Sequence, residues 1–313
     1  MTFLDNPPSR SIRSGLAVAA LALAAAASVP AFAAADAPVA VPVAVAPQYD
    51  TTHVYVASGD VDRFVQSVIA TFGGRSTKQV VATVTPTPSS TTSQLVQTPV
   101  GTLSVFGFTT PVPYPFGAER NGYLVTDLDE AVRQARDAGA DVQVAPFPDP
   151  IGRDAVVQWP GGVNLQLYWH TKAPDYAPFE TVPDNRVYVS PDRLDAFVRA
   201  FTRFARARVV QDAPDAPGAE IGRPGTTYHR VRLESPFGRM LVLATDGHLP
   251  WPYGRETTGY AVRSLEQTLA KATAAGARVL VAPGPSDAPA SAIVEFPGGY
   301  IAEIHAADPP ASR

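Results

Sequence analysis

Few side chains in this sequence can do chemistry. There is no cysteine, which excludes thiolate catalysis, thiolate metal sites and disulfides. Five histidines remain: His53, His170, His229, His248 and His305. None makes an i, i+4 pair or an HExxH motif, and no GxSxG elbow, phosphate-binding glycine loop or dinucleotide fingerprint is present. What is left is imidazole, carboxylate and amide. His53 stands in THVYV, Gln166 in VNLQLYW, Glu303 in GYIAEIHA and Arg186 in NRVYV. Imidazole with carboxylate does general acid–base work or holds a divalent ion. The plainer roles are a hydrogen-bonded histidine on an inner strand face and a carboxylate paired with a cation, because a lone buried charge is costly.

The elements that must position these residues come from a repeat. Displaced by 137 residues, Glu119, Gly122 and Tyr123 meet Glu256, Gly259 and Tyr260, and Pro160-Gly161-Gly162 meets Pro297-Gly298-Gly299. Upstream the offset is 133, so Val54-Tyr55-Val56 meets Val187-Tyr188-Val189. Residues 50–171 and 184–307 are therefore two copies of one unit, joined by the proline-rich stretch 172–183. Each copy divides again into two parts of the order strand, helix, three strands. Alternating runs such as THVYV read as strands. Val61, Phe64, Val65 and Val68 recur at helical steps, as do Leu194, Phe197, Val198 and Phe201. Asp127 with Glu130, and Ser264 with Gln267, have capping-box spacing. The expected fold class is α+β, with four βαβββ modules.

The 313 residues carry a net charge of −4 and no Lys/Arg cluster, so there is no footprint for nucleic acid. Arg10 and Arg13, the apolar run Leu16 to Val29 and the small-x-small cleavage site Ala31-Phe32-Ala33 read as a signal peptide over 1–33. A Pro/Ala/Val-rich linker is expected over 34–49 and a short tail over 308–313. The expected product is periplasmic or secreted in a bacterium, has no membrane span once the signal is removed, and is a monomer.

The stretches GYLVTDLDEAVRQARDAGADVQVAPF and GRDAVVQWPGGVNLQLYW, with their partners GYAVRSLEQTLAKATAAGARVLVAPG and SAIVEFPGGYIAEIHA, resemble the vicinal-oxygen-chelate (glyoxalase/bleomycin-resistance/dioxygenase) superfamily. The likeness covers about residues 50–307. The family's acidic residue in the turn before the last strand is missing here, where Trp159-Pro160-Gly161-Gly162 and Phe296-Pro297-Gly298-Gly299 stand. The resemblance implies two glyoxalase-like domains, each a pair of modules curling its sheets into a cup. It also implies metal ligands on first and last strands: two His and one Glu, or Gln/His with two Glu.

At those positions the resemblance points to His53, seven residues before Asp60, and to Arg186 in the third module. Arg120 and Thr257 open the second and fourth modules, and neither suits a metal. On the last strands the positions are Gln166 and Glu303. His53, Glu303 and Gln166 are thus the candidate ligands of one divalent metal (Fe, Mn, Ni or Zn) or of none, with Glu303 the candidate catalytic group. If modules pair within each half, His53 faces Gln166 and Arg186 faces Glu303 as a salt bridge. If the first module pairs with the fourth, His53 meets Glu303, and His305 would lie at the mouth. Two matched aromatic–proline loops, Pro113 to Gly117 and Pro250 to Gly254, offer Tyr114 and Trp251 as walls for a flat ligand, or cover the seam between modules. Tyr55 and Arg186 complete the candidate ligand-binding set. Two functions are implied. One is an exported glyoxalase-like protein doing metal-assisted lyase or dioxygenase chemistry on a small molecule. The other is a metal-free binding or sequestering protein of the bleomycin-resistance type.

Overall fold

The computed structural model describes residues 48–49, 52–177, 182–252, 254–284 and 290–307. The expected signal peptide, most of the expected linker over 34–49, residues 178–181 of the joint and the tail over 308–313 lie outside the described residues.

The first module is strand β1 (Thr52–Ala57), helix α1 (Val61–Phe72), and strands β2 (Arg75–Ser76), β3 (Val80–Ala82), β4 (Thr91–Thr98) and β5 (Gly101–Phe108). The second is β6 (Gly122–Leu124), α2 (Leu128–Ala138), β7 (Asp141–Pro148), β8 (Gly152–Trp159) and β9 (Val163–His170). The third is β10 (Asp184–Val189), α3 (Leu194–Ala205), β11 (Arg208–Pro217), β12 (Thr227–Ser235) and β13 (Gly238–Ala244). The fourth is β14 (Glu256–Val262), α4 (Leu265–Ala274), β15 (Arg278–Val281), β16 (Ser291–Phe296) and β17 (Tyr300–Ala306). The α+β class and the repeated strand–helix–strands order follow the sequence reading. Both predicted caps are made: Asp127 accepts from the Glu130 N–H at 3.0 Å, and Ser264 from that of Gln267 at 3.3 Å.

Modules pair within each half. In the second half one eight-stranded sheet runs β11-β12-β13-β10-β14-β17-β16-β15, with β10 and β14 antiparallel at its centre. In the first half the corresponding seam is short. Thr52 bridges Asn121, and the His53 N–H donates to the Arg120 carbonyl at 3.0 Å. Thr52 and Asn121 are the repeat partners of Asn185 and Thr258, which pair in the second half.

The helix side of the sheets joins the two halves instead. Alternation on β1 sends Val54 and Val56 to the helix side. There they meet Phe64, Val65 and Val68 of α1 and, from the fourth module, Tyr260, Phe296, Tyr300, Ala302 and Ile304. Modules two and three share an equivalent core, in which Trp159 packs on Phe201 and Phe204 with ring centroids 5.6 and 5.1 Å apart. The repeated Pro-Gly-Gly turns serve this packing. A Cβ at Gly161 would lie 2.9 Å from Val189, and one at Gly298 would lie 2.9 Å from Val56. Both glycines also have positive φ, +93° and +86°. Each turn presses backbone against the first strand of a module from the other half.

Candidate functional site

The inner face of β1 carries His53 and Tyr55. Tyr55 packs with Phe116, Phe147 and Val156. Its ring lies 5.4 Å from Phe106 and 6.1 Å from Phe108, and His53 meets Phe106 edge-on at 5.8 Å. Tyr55, Phe108, Val112, Tyr114 and Phe116 line an open groove of about 510 Å³. Tyr114 stands at its rim, 66% exposed, with its hydroxyl accepting from Gln158 at 3.0 Å. This is the first cup.

Behind the Tyr55 ring lies a buried carboxylate. Glu119 is fully buried and accepts from the Tyr55 hydroxyl, and its Oε1 lies 3.3 Å from His53 Nδ1. Its other oxygen, Oε2, has no hydrogen-bond partner among the described residues. The Arg120 guanidinium sits 5.2 Å from the Tyr55 ring centroid. Burial, and then the Glu119 charge, push the Tyr55 hydroxyl well above its usual pKa, so it works as a proton-bearing donor. Gly122 leaves room for the imidazole: a Cβ there would come within 3.1 Å of His53 Nε2. Gly122 is also in register with Gln166, so His53 and Gln166 belong to the same cup.

The second cup has the same frame and different contents. Arg186 takes the place of His53. Its guanidinium meets both oxygens of Glu303 (Nη2 to Oε1 2.8 Å), and also Asp184 at 3.3 Å and His305 Nδ1 at 3.3 Å. Asp184 is further held by Arg239 at 2.8 Å. Burial works against the Arg186 charge, but Glu303 and Asp184 outweigh it and hold its pKa above the usual value. Burial likewise disfavours the Asp184 carboxylate, yet Arg186 and Arg239 hold it below the usual range. Burial and the Arg186 charge lower His305. His305 is buried beside the guanidinium; its place at a mouth belonged to a pairing of the first and fourth modules, and modules pair within each half. Above this cluster Tyr188, Leu243, Trp251, Val281 and Ile293 pack with Ile221, which a short 3₁₀ turn (Gly218–Ile221) inserts from between β11 and β12. The second cup is filled by its own chain.

The named candidates therefore fall into two groups. His53, Tyr55, Tyr114 and Gln166 share the first cup. Arg186, Glu303 and Trp251 share the second. Val54 and Val56 flank Tyr55 in sequence, and Ala302 and Ile304 flank Glu303; all four meet in one shared core. His53 and Glu303 consequently face away from each other. Among the described residues no three His, Asp or Glu side chains gather closely enough to hold a metal ion. The two-His-one-Glu and Gln/His-with-two-Glu sets do not fit either cup: one has a guanidinium on its glutamate, and the other has one imidazole beside an amide and Glu119. Glu119 itself was missed from the sequence. Its signal was available, because Glu119 and Glu256 match in the repeat immediately before equivalent strands.

Comparison with solved structures gives the architecture. A variant of 4-hydroxymandelate synthase from Streptomyces coelicolor matches 87% of this chain and 95% of its own, at TM-score 0.55 and 12% identity. A 2,3-dioxygenase from a Pseudomonas species matches 87% of this chain and 97% of its own, at 0.52 and 12%. The chain has the vicinal-oxygen-chelate fold. A 2,2',3-trihydroxybiphenyl 1,2-dioxygenase from Sphingomonas wittichii shares this fold over 84% of the present chain and 90% of its own, at TM-score 0.52 and 15% identity. No family model and no curated protein sequence matches the chain. At such identities the vicinal-oxygen-chelate likeness is one of fold, and function must be argued from the cups themselves.

Proposed function

We propose that this protein binds a flat, largely apolar small molecule bearing a hydroxyl group in its first cup, and that the second cup is scaffold. The observation that carries this reading is the inequality of two cups built on one frame. One opens as an aromatic groove lined by Tyr55, whose hydroxyl meets the buried Glu119–His53 pair; the other is filled by Ile221 and Trp251 above an Arg186–Glu303 pair. Aromatic walls favour a planar ring by burial and stacking. With Nδ1 turned to Glu119, His53 has Nε2 as its other polar atom. A tautomer protonated on Nδ1 makes Nε2 an acceptor for a hydroxyl proton. The names of the solved structures sharing the fold, among them a hydroxymandelate synthase and a trihydroxybiphenyl dioxygenase, support a hydroxylated aromatic as the ligand class. Metal-assisted oxygenase or lyase chemistry is the other implied activity. The donor sets do not fit it, and no step is assigned to a metal.

2-Naphthol is a suitable probe, with binding followed by its fluorescence. Tyr55→Ala should weaken binding about tenfold or more, the loss expected for a stacked aromatic and its burial. Ile293→Val, a one-methylene change inside the second cup, should leave it unchanged. Equal effects of the two substitutions, or no binding by the native protein, would remove the first cup from consideration.

A further inference from the structure

The repeat makes Glu256 the counterpart of Glu119, but the two carboxylates do different things. Glu119 turns to the histidine of its own half. In the second half that histidine is Arg186, whose guanidinium is taken by Glu303 and Asp184. Glu256 is thereby released, and it reaches across to the first half. Its Oε2 accepts the backbone N–H of Arg120 at 2.7 Å, and its Oε1 accepts from Asn185 Nδ2 at 3.3 Å. Asn185 Oδ1 in turn accepts from Asn121 Nδ2 at 2.9 Å. Glu256 is only 3% exposed, and Asn121 and Asn185 are equally hidden from solvent. Two of the three residues in the strip Glu119-Arg120-Asn121 are thus tied to the second half by buried hydrogen bonds. That strip supplies the partner of His53 and Tyr55 and the cation over the Tyr55 ring.

We propose that Glu256 is a positioning residue for the first cup, holding the Glu119–Arg120–Asn121 strip from the opposite half of the molecule so that Glu119 stays against His53 and Tyr55. The role rests on the first cup being the binding site, as proposed above. It explains why a filled half is kept: the second half supplies the anchor. Burial, reinforced by the Glu119 charge, pushes the Glu256 carboxyl up to about 8, so the anchor changes protonation near neutral pH. The polar and charged groups around it are the Arg120 side chain and N–H, Glu119, Asn185 and Tyr123, with Asp184 acting on the same tyrosine.

The test combines NMR of the Arg120 amide with 2-naphthol binding in the full chain. In the native protein the Arg120 N–H resonance should titrate with a midpoint near pH 8, because its acceptor gains charge. Glu256→Gln keeps an oxygen for that N–H but cannot ionise. It should abolish the titration and hold 2-naphthol within about twofold of native at pH 7. Glu256→Ala removes the acceptor and should weaken 2-naphthol on the order of tenfold, the scale of one lost buried hydrogen bond. An Arg120 amide that does not titrate in the native protein, or titrates unchanged in Glu256→Gln, overturns the proposal, as does native affinity in a folded Glu256→Ala when Tyr55→Ala has lost binding. The amide titration needs no ligand. If Tyr55→Ala leaves 2-naphthol binding untouched while the amide behaves as stated, the binding-site reading fails and the anchor itself survives.

Discussion

His53 and Arg186 occupy equivalent places in the two copies, and the difference between them reaches every polar contact nearby. Imidazole is short and leaves its neighbouring Gln166 and Glu119 with capacity to spare. Guanidinium is a long fork that meets Glu303 through two nitrogens, with Asp184 and His305 beside it. Removing it would leave Glu303 without its cation and Asp184 with Arg239 alone. Arg186→Met should therefore destabilise the protein by about 3–5 kcal/mol, measured by urea unfolding; a loss under 1 kcal/mol would mean that the cluster is not held by this cation. The same geometry separates two residues that the sequence offered as partners. His53→Ala and Glu303→Ala should not act as a pair on metal content, measured by mass spectrometry after incubation with Fe, Mn, Ni and Zn. Parallel loss of one ion from both variants would contradict their placement in different cups.

At the scale of elements, two strand glycines record what sits above them. Gly122, which opens β6, and Gly259, in the middle of β14, are repeat partners. A Cβ would come within 3.1 Å of His53 at the first and within 2.5 Å of the Arg186 guanidinium at the second. Gly259→Ala should cost about 1–3 kcal/mol through overpacking, and more than Gly122→Ala, with both read from thermal or urea unfolding. The reverse order would show that the guanidinium moves aside easily. Helices, caps, turns and strand alternation were all legible beforehand, because they follow from residue type and short-range spacing. The inserted turn Gly218–Ile221 was not. It is a brief run between strands, and its effect comes from Ile221 arriving among side chains distant in sequence.

Across the whole molecule, two kinds of contact run in different directions. Sheet pairing builds each cup within a half, while helix-side packing builds the two largest apolar cores between halves. Neither half can be removed without opening both cores. Buried carboxylates add a pH dependence to this assembly. Glu256 has its folded-state pKa near 8, above the ordinary carboxylate value of 4.5. Between those values the folded protein holds the proton and the unfolded chain does not. Stability contributed through this group is present below about pH 4.5 and is lost as pH rises toward 8. The urea midpoint should fall across that interval, and Glu256→Gln should flatten the fall. An unchanged slope in the variant would place the titrating group elsewhere.

The amino-acid sequence by itself determined the number and order of modules, their helices and turns, and the identity of the side chains at each strand position. Those are properties of periodicity and of glycine and proline in register, and they survive without knowing which modules touch. It also contained both module pairings as open alternatives, since β1 could meet β6 or the fourth module with equal local sense. Only the tertiary structure decided that His53 shares a cup with Gln166 and Glu119, that Arg186 closes on Glu303, and that Glu256 crosses between halves. Each of those depends on contacts between residues 60 to 140 positions apart, whose partners are chosen by packing the whole chain at once.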